Sequence, residues 1–177
     1  MNCAPAVIIV TGRDPQRFLS CGHTIYVRTH AYAAVRAGFD VHVVCLAAKA
    51  RTEATAYGTV HAGVSPIATI RQNRIPTLSP VLSRMIADLA TSLGRRETIL
   101  HGFGVWGHAV ARAHPVLAPS GVRRARLLSS YTTYLDENLS HWRGLSRESG
   151  LRAYLKYGWE LARIRANVGR YERHAYR

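Results

Sequence analysis

Residues 6–11 read AVIIVT and residues 41–46 read VHVVCL, and the stretch they enclose, Ala6 to Leu46, decides the fold. Both runs are apolar without strict alternation, the pattern of strands covered on both faces of a parallel sheet. Between them Thr24 to Ala37 is rich in alanine and is followed by Gly38, a residue free to adopt the left-handed conformation that ends many helices. The first unit therefore reads strand, helix, strand.

The alternation continues along the chain. A strand is expected at Thr59–Val64, flanked and interrupted by Gly58 and Gly63 and stopped by Ser65 and Pro66. A helix follows with Ser79 as cap, Pro80 in the first turn, Leu82, Met85, Ile86, Leu89 and Leu93 along one face, and Gly94 as stop. Thr98–His101 gives another strand, Val105–His114 a helix before Pro115, and Arg126–Ser130 a further strand. From Arg147 the pattern is helical to Arg177, with no Gly, Pro or polar tail to close it, which reads as a cut end. Such alternation predicts an α/β domain: a Rossmann-like, doubly wound, mostly parallel sheet with helices on both faces. Sheets of this kind bind ligands in the crevice beyond the carboxyl ends of their strands.

Composition sets the outer bounds. A chain of 177 residues with 47% hydrophobic residues suits one domain, spanning residues 1–177, and excludes a disordered tail. The longest stretch without Asp, Glu, Lys or Arg, Ala54 to Ile70, is broken by His61, Ser65 and Pro66, so no bilayer-spanning helix is expected. Met1 to Gly12 lacks the basic start of a secretion signal and reads as a first strand, so a cytoplasmic location is expected. Cys3, Cys21 and Cys45 are too widely spaced for a close-set zinc site and odd in number, so reduced thiols and no metal are expected. The net charge of +14 is almost all arginine and leans toward the C-terminal half: residues 91–177 hold 15 basic against 6 acidic, and residues 1–90 hold 9 against 4.

Three loops and one helix carry the chemistry. The first loop, Gly12 to Gly22, ends in Ser20, Cys21, Gly22 and His23 and feeds a helix, a setting in which exposed amides and the helix dipole favour a phosphate; an ordinary strand-to-helix turn would look the same. Gly102, Phe103, Gly104, Val105, Trp106, Gly107 spells G-x-G-x-x-G after a strand and before a helix. That fits either a dinucleotide site or a glycine-lined loop of another crevice. The next strand ends in Ser129, Ser130 and Tyr131, where a dinucleotide site would set an acidic residue for the ribose. His101, closing its strand, is expected to point into the crevice, and His23 stands near it in this reading; a neutral imidazole there can hydrogen-bond a sugar hydroxyl or act as a base, the alternative being simple packing. Thr132, Thr133, Tyr134 and Glu137 follow a later strand and offer hydroxyls and a carboxylate suited to carbohydrate, or to a solvated, capped loop.

The final segment, Leu151 to Arg177, is amphipathic, and its Arg152, Lys156, Arg163, Arg170 and Arg173 suit either a solvated helix face or peripheral contact with anionic lipid. With no nucleic-acid module in the sequence, the same charge supports only nonspecific attraction to nucleic acid.

Ser20 to His23 before a helix, then Arg36 to Val44 (RAGFDVHVV), His101 to Gly104 after a later strand, Tyr131 to Tyr134 after the next, and a closing helix with Tyr171, Glu172 and Arg173 together resemble the N-terminal, acceptor-side domain of family 4 glycosyltransferases. The resemblance covers nearly the whole chain. It implies one half of a GT-B architecture, needing no metal or other cofactor, with a nucleotide sugar as co-substrate and a sugar or lipid-linked acceptor. Gly22 would approach the donor diphosphate, with Cys21 and His23 beside it among the substrate-binding residues, and His101, Gly102, Phe103, Gly104, Thr132, Thr133, Tyr134 and Glu137 would line the cleft. The family keeps most donor contacts on a C-terminal domain that this chain does not contain, so the resemblance implies a truncated domain, inactive alone, with its catalytic residues unknown. The alternatives are an NAD(P)-dependent oxidoreductase using Gly102–Gly107 and a basic, non-enzymatic binding module.

Overall fold

The computed structural model describes residues 4–19, 22–67, 75–94, 96–117 and 124–129, together with Leu151, Leu155, Gly158, Trp159 and Ala162. Six strands form one sheet: β1 Ala6–Arg13, β2 Asp40–Ala47, β3 Arg51–Thr55, β4 Gly58–Val64, β5 Thr98–Phe103 and β6 Arg124–Ser129. Among the described residues three helices lie between them: α1 Gly22–Arg36, α2 Ile75–Ser92 and α3 Gly107–Leu117, the last preceded by a 3-10 turn at Gly104–Trp106.

The sheet order is β3-β4-β2-β1-β5-β6. Every neighbouring pair is parallel except β3 with β4. Among the parallel strands alone, the first in the chain is central, the next two lie on one side of it and the last two on the other. This reversal of direction is the one that opens a ligand crevice in doubly wound sheets. β1 is the pivot, pairing with β2 through Ile8↔His42 and with β5 through Ile8↔Leu100.

Alternate residues of the central strands face opposite layers, and both layers are apolar. On one face Ile8, Val10, Val44, Leu46 and Leu100 pack against Leu78, Leu82, Ile86 and Ala90 of α2 and against Ala109, Val110, Ala113 and Leu117 of α3. On the other face Val7, Ile9, Val41, Val43, Cys45 and Phe103 pack against Val27 and Ala31 of α1 and against Tyr57. Each large aliphatic side chain buried this way contributes about 1.5 to 3 kcal/mol. The α/β class, the mostly parallel sheet and the helices on both faces are thus as expected.

Several boundaries differ. α2 starts at Ile75, so Ser79 and Pro80 lie inside it and not at its cap. Pro80 is exposed and Ser79 is buried, where its hydroxyl meets His108 Nδ1 at 2.7 Å. That polar contact between α2 and α3 replaces the capping role. Pro115 lies within α3, which runs on to Leu117. β3, with the sequence RTEAT, has three exposed central residues and no apolar alternation, which is why pattern alone does not find it. It exists because a tight turn at Ala56 and Tyr57 folds it onto β4, with the Thr55 hydroxyl donating to the Gly58 carbonyl at 2.7 Å. In the closing segment Leu151, Leu155 and Trp159 are helical and exposed, at 76%, 65% and 72%. Among the described residues no helix is long and apolar enough to cross a membrane.

Candidate functional site

The chain leaves β1 toward α1 on one face of the sheet and leaves β5 toward α3 on the other, so the connections at the carboxyl ends of β1 and β5 part company. Thr11 and Gly12 near the end of β1, the first turn of α1 and the end of β5 meet there. Thr11 is fully buried, and its hydroxyl lies 2.9 Å from His23 Nε2. The His23 ring stands edge-on to Phe103, with centroids 6.0 Å apart and planes at 85°. His101 and His30 also lie against Phe103, with centroids 4.6 Å and 5.0 Å away. His30 and His101 are themselves 5.8 Å apart, edge to face. Three imidazoles thus surround one phenyl ring at the point where the sheet reverses direction.

Burial, joined by the Arg13 charge, lowers the pKa of His23 to about 4, and burial with the neighbouring His30 lowers that of His101 to about 4. Both imidazoles are therefore neutral near pH 7, each with one N–H to donate and one lone pair to accept. Such groups suit hydroxyls or a proton transfer, not a permanent ion pair.

The loop leading to this site is held by charge. Asp14, 1% exposed at the end of β1, pairs with Arg51 of β3 at 2.6 Å and receives the Gln16 amide at 3.0 Å. Arg51 also donates to the Gln16 side chain at 3.0 Å and to Glu53 at 3.2 Å. Farther along, Thr24 donates its hydroxyl to the Phe18 carbonyl, and Arg28 donates to the Leu19 carbonyl at 3.0 Å. The Arg13 guanidinium sits 5.4 Å over the Phe18 ring. Phe18 and Leu19 remain exposed beside the first turn of α1.

The glycines of the G-x-G-x-x-G pattern have identifiable tasks. A Cβ on Gly102 would lie 2.4 Å from the Gly107 Cα, so this pair lets β5 and the start of α3 touch. Gly104 has φ +54 and opens the 3-10 turn. Trp106, 3% exposed, fills the core and lays its indole against Gly12, where a Cβ would come within 2.4 Å of three ring atoms. Packing therefore accounts for Gly102 and Gly107 without a bound phosphate.

Of the residues expected at the site, Gly22, His23, His101, Gly102, Phe103 and Gly104 fall among those described, and His23, Phe103 and His101 are brought together. His101 differs from expectation in one respect. The strand runs on to Phe103, and His101 sits two residues before its end, 5% exposed on the α1 face and not directed beyond the rim. Cys21, Thr132, Thr133, Tyr134 and Glu137 lie outside the described residues, as do Arg152, Lys156, Arg163, Arg170 and Arg173. Sequence reading misses Thr11, His30 and the Asp14–Arg51 pair. His30 is signalled by its spacing of seven from His23, which puts both on one face of α1.

No family model matches the chain, and no curated protein is significantly similar to it.

Proposed function

We propose that this domain binds a sugar-bearing substrate in the crevice between β1 and β5, as the acceptor-side half of a Rossmann-like, two-domain glycosyltransferase of the GT-B type. The observation that carries the reading is the meeting of His23 and His101 around Phe103 at the reversal point of the sheet. Neutral imidazoles and an aromatic ring together suit a sugar, whose hydroxyls need donors and acceptors and whose C–H faces pack on rings. The first turn of α1, beginning at Gly22 next to His23, offers backbone amides toward a donor diphosphate. The resemblance of residues 20–23, 36–44 and 101–104 to family 4 glycosyltransferases supports the same assignment.

In this proposal the donor nucleotide is held chiefly by a second domain, so the 177-residue chain binds substrate without turning it over. His23 and His101 orient hydroxyls, and no metal or further cofactor takes part. The protein works in the cytoplasm and meets anionic lipid at the inner face of the membrane through Arg152, Lys156, Arg163, Arg170 and Arg173. The oxidoreductase alternative is the weaker one, because close packing against Gly107 accounts for Gly102.

Titration of the chain with nucleoside diphosphate sugars, simple glycosides and NAD, followed by amide and imidazole NMR, tests the reading. Sugar ligands are expected to move the signals of Gly22, His23, His101 and Gly104, and His23→Ala to weaken them. Tight NAD binding abolished by Gly104→Val would transfer the assignment to the oxidoreductase.

A further inference from the structure

Away from the crevice, toward the amino-terminal end of the sheet, β2 and β4 hold two histidines in contact. His42 Nδ1 and His61 Nε2 are 3.0 Å apart, and their rings are 5.2 Å apart between centroids. The strand register sets His42 beside Thr59 and Val44 beside His61, so the two imidazoles meet diagonally on the face that carries α2. The far nitrogen of His42, Nε2, is buried and lies 3.4 Å from Asp40 Oδ2. Asp40 is in turn held by Arg96. His42 Nε2 makes no hydrogen bond, but the nearby carboxylate favours the tautomer with the proton on that nitrogen, so that Nδ1 accepts from His61 Nε2–H.

Two imidazole nitrogens this close share either a proton or a cation. In tetrahedral coordination with metal–nitrogen bonds of about 2.0 to 2.1 Å, two ligating nitrogens stand roughly 3.3 Å apart, so the pair needs to open by a few tenths of an ångström and each ring to turn its lone pair toward the ion. The carboxylate behind the ligating ring is the outer-shell partner found behind many metal-bound histidines.

We propose that His42 and His61 form a two-imidazole site for a borderline divalent cation such as Zn2+, Ni2+ or Cu2+, with Asp40 as the residue that positions His42. Among the described residues no group of three His, Cys, Asp or Glu side chains could hold a metal, so water completes the coordination sphere. Imidazole donors select this class of ion over Mg2+ or Ca2+. On binding, the His61 proton moves from Nε2 to Nδ1, both imidazoles stay neutral, and the cation joins β2 to β4.

Titration of the full chain with Zn2+ by calorimetry, and with Cu2+ followed by broadening of histidine ring signals, tests the site. One Zn2+ is expected per chain, and the ring signals of His42 and His61 are expected to broaden before those of any other histidine. His61→Gln should abolish binding, Asp40→Asn should weaken it by about tenfold or more, and His114→Gln should leave it unchanged. Absence of Zn2+ binding, binding that survives His61→Gln, or early broadening at other histidines would reduce the pair to an N–H···N hydrogen bond. The ring signals of the unsubstituted chain keep the test open should a variant fail to fold.

Discussion

The Trp106 indole occupies the space in which any side chain at position 12 would begin. Gly12 is at once the end of the central strand and the floor against which the turn after β5 packs, so the two loops of the candidate site share one packing contact.

Gly12→Ala should therefore overpack the junction and cost about 1 to 3 kcal/mol. Denaturant unfolding measures the loss. Combining it with Trp106→Leu should give a destabilisation smaller than the sum of the two single variants, because the second change removes the clash created by the first. Additive losses would mean that the indole does not press on this position.

Asp14 is buried and paired with Arg51. Asp14→Ala leaves the guanidinium without its buried counter-charge and should destabilise the fold by on the order of 3 kcal/mol. The loop from Asp14 to Leu19 should also lose amide protection before the strands do, which hydrogen exchange would register.

His23 and His101 titrate near pH 4 in the folded chain against 6.5 in an unfolded one. Below pH 6.5 the unfolded chain takes up protons that the native site refuses. Stability should fall as pH drops from 6.5 to about 4 and should stop falling on their account below that. Melting temperatures recorded across this range, with His23→Gln and His101→Gln each flattening the slope, check both the sign and the residues.

Ser79→Ala removes the hydroxyl that meets His108 Nδ1 between α2 and α3. Because both residues are buried, the expected cost is about 1 to 3 kcal/mol, against almost nothing for a hydroxyl lost from an exposed helix surface. Thermal unfolding distinguishes the two.

What the sequence makes legible is governed by burial. β1 and β2 announce themselves because strands covered on both faces need unbroken apolar runs, and α1 because Ala-rich sequence runs into Gly38, which does adopt a left-handed φ of +85. β3 leaves no such trace, since its three central side chains face water and its position is set by the turn before β4. The start of α2 is misread for a related reason. Ser79 and Pro80 look like a helix opening locally, yet the buried partnership of Ser79 with His108 lies 29 residues away in the chain, beyond any local pattern. At the candidate site, the rule that loops at strand ends hold ligands points to His23, which opens α1 just after the first loop, whereas His101, expected at a strand end, sits inside β5. The Asp14–Arg51 pair does not follow from that rule, because it depends on which strands become neighbours.

The placement of β3 bears on solubility. A sheet of parallel apolar strands that ended at β4 would expose a row of free amides and carbonyls next to hydrophobic side chains, an invitation to edge-to-edge aggregation. Here that edge is taken by a short strand carrying Arg51, Thr52 and Glu53, whose charged side chains and turn-tethered geometry make poor partners for another molecule. Excising residues 51–57 should accordingly yield self-associating material and not a smaller soluble domain. The hairpin acts as the molecule's guard against its own kind.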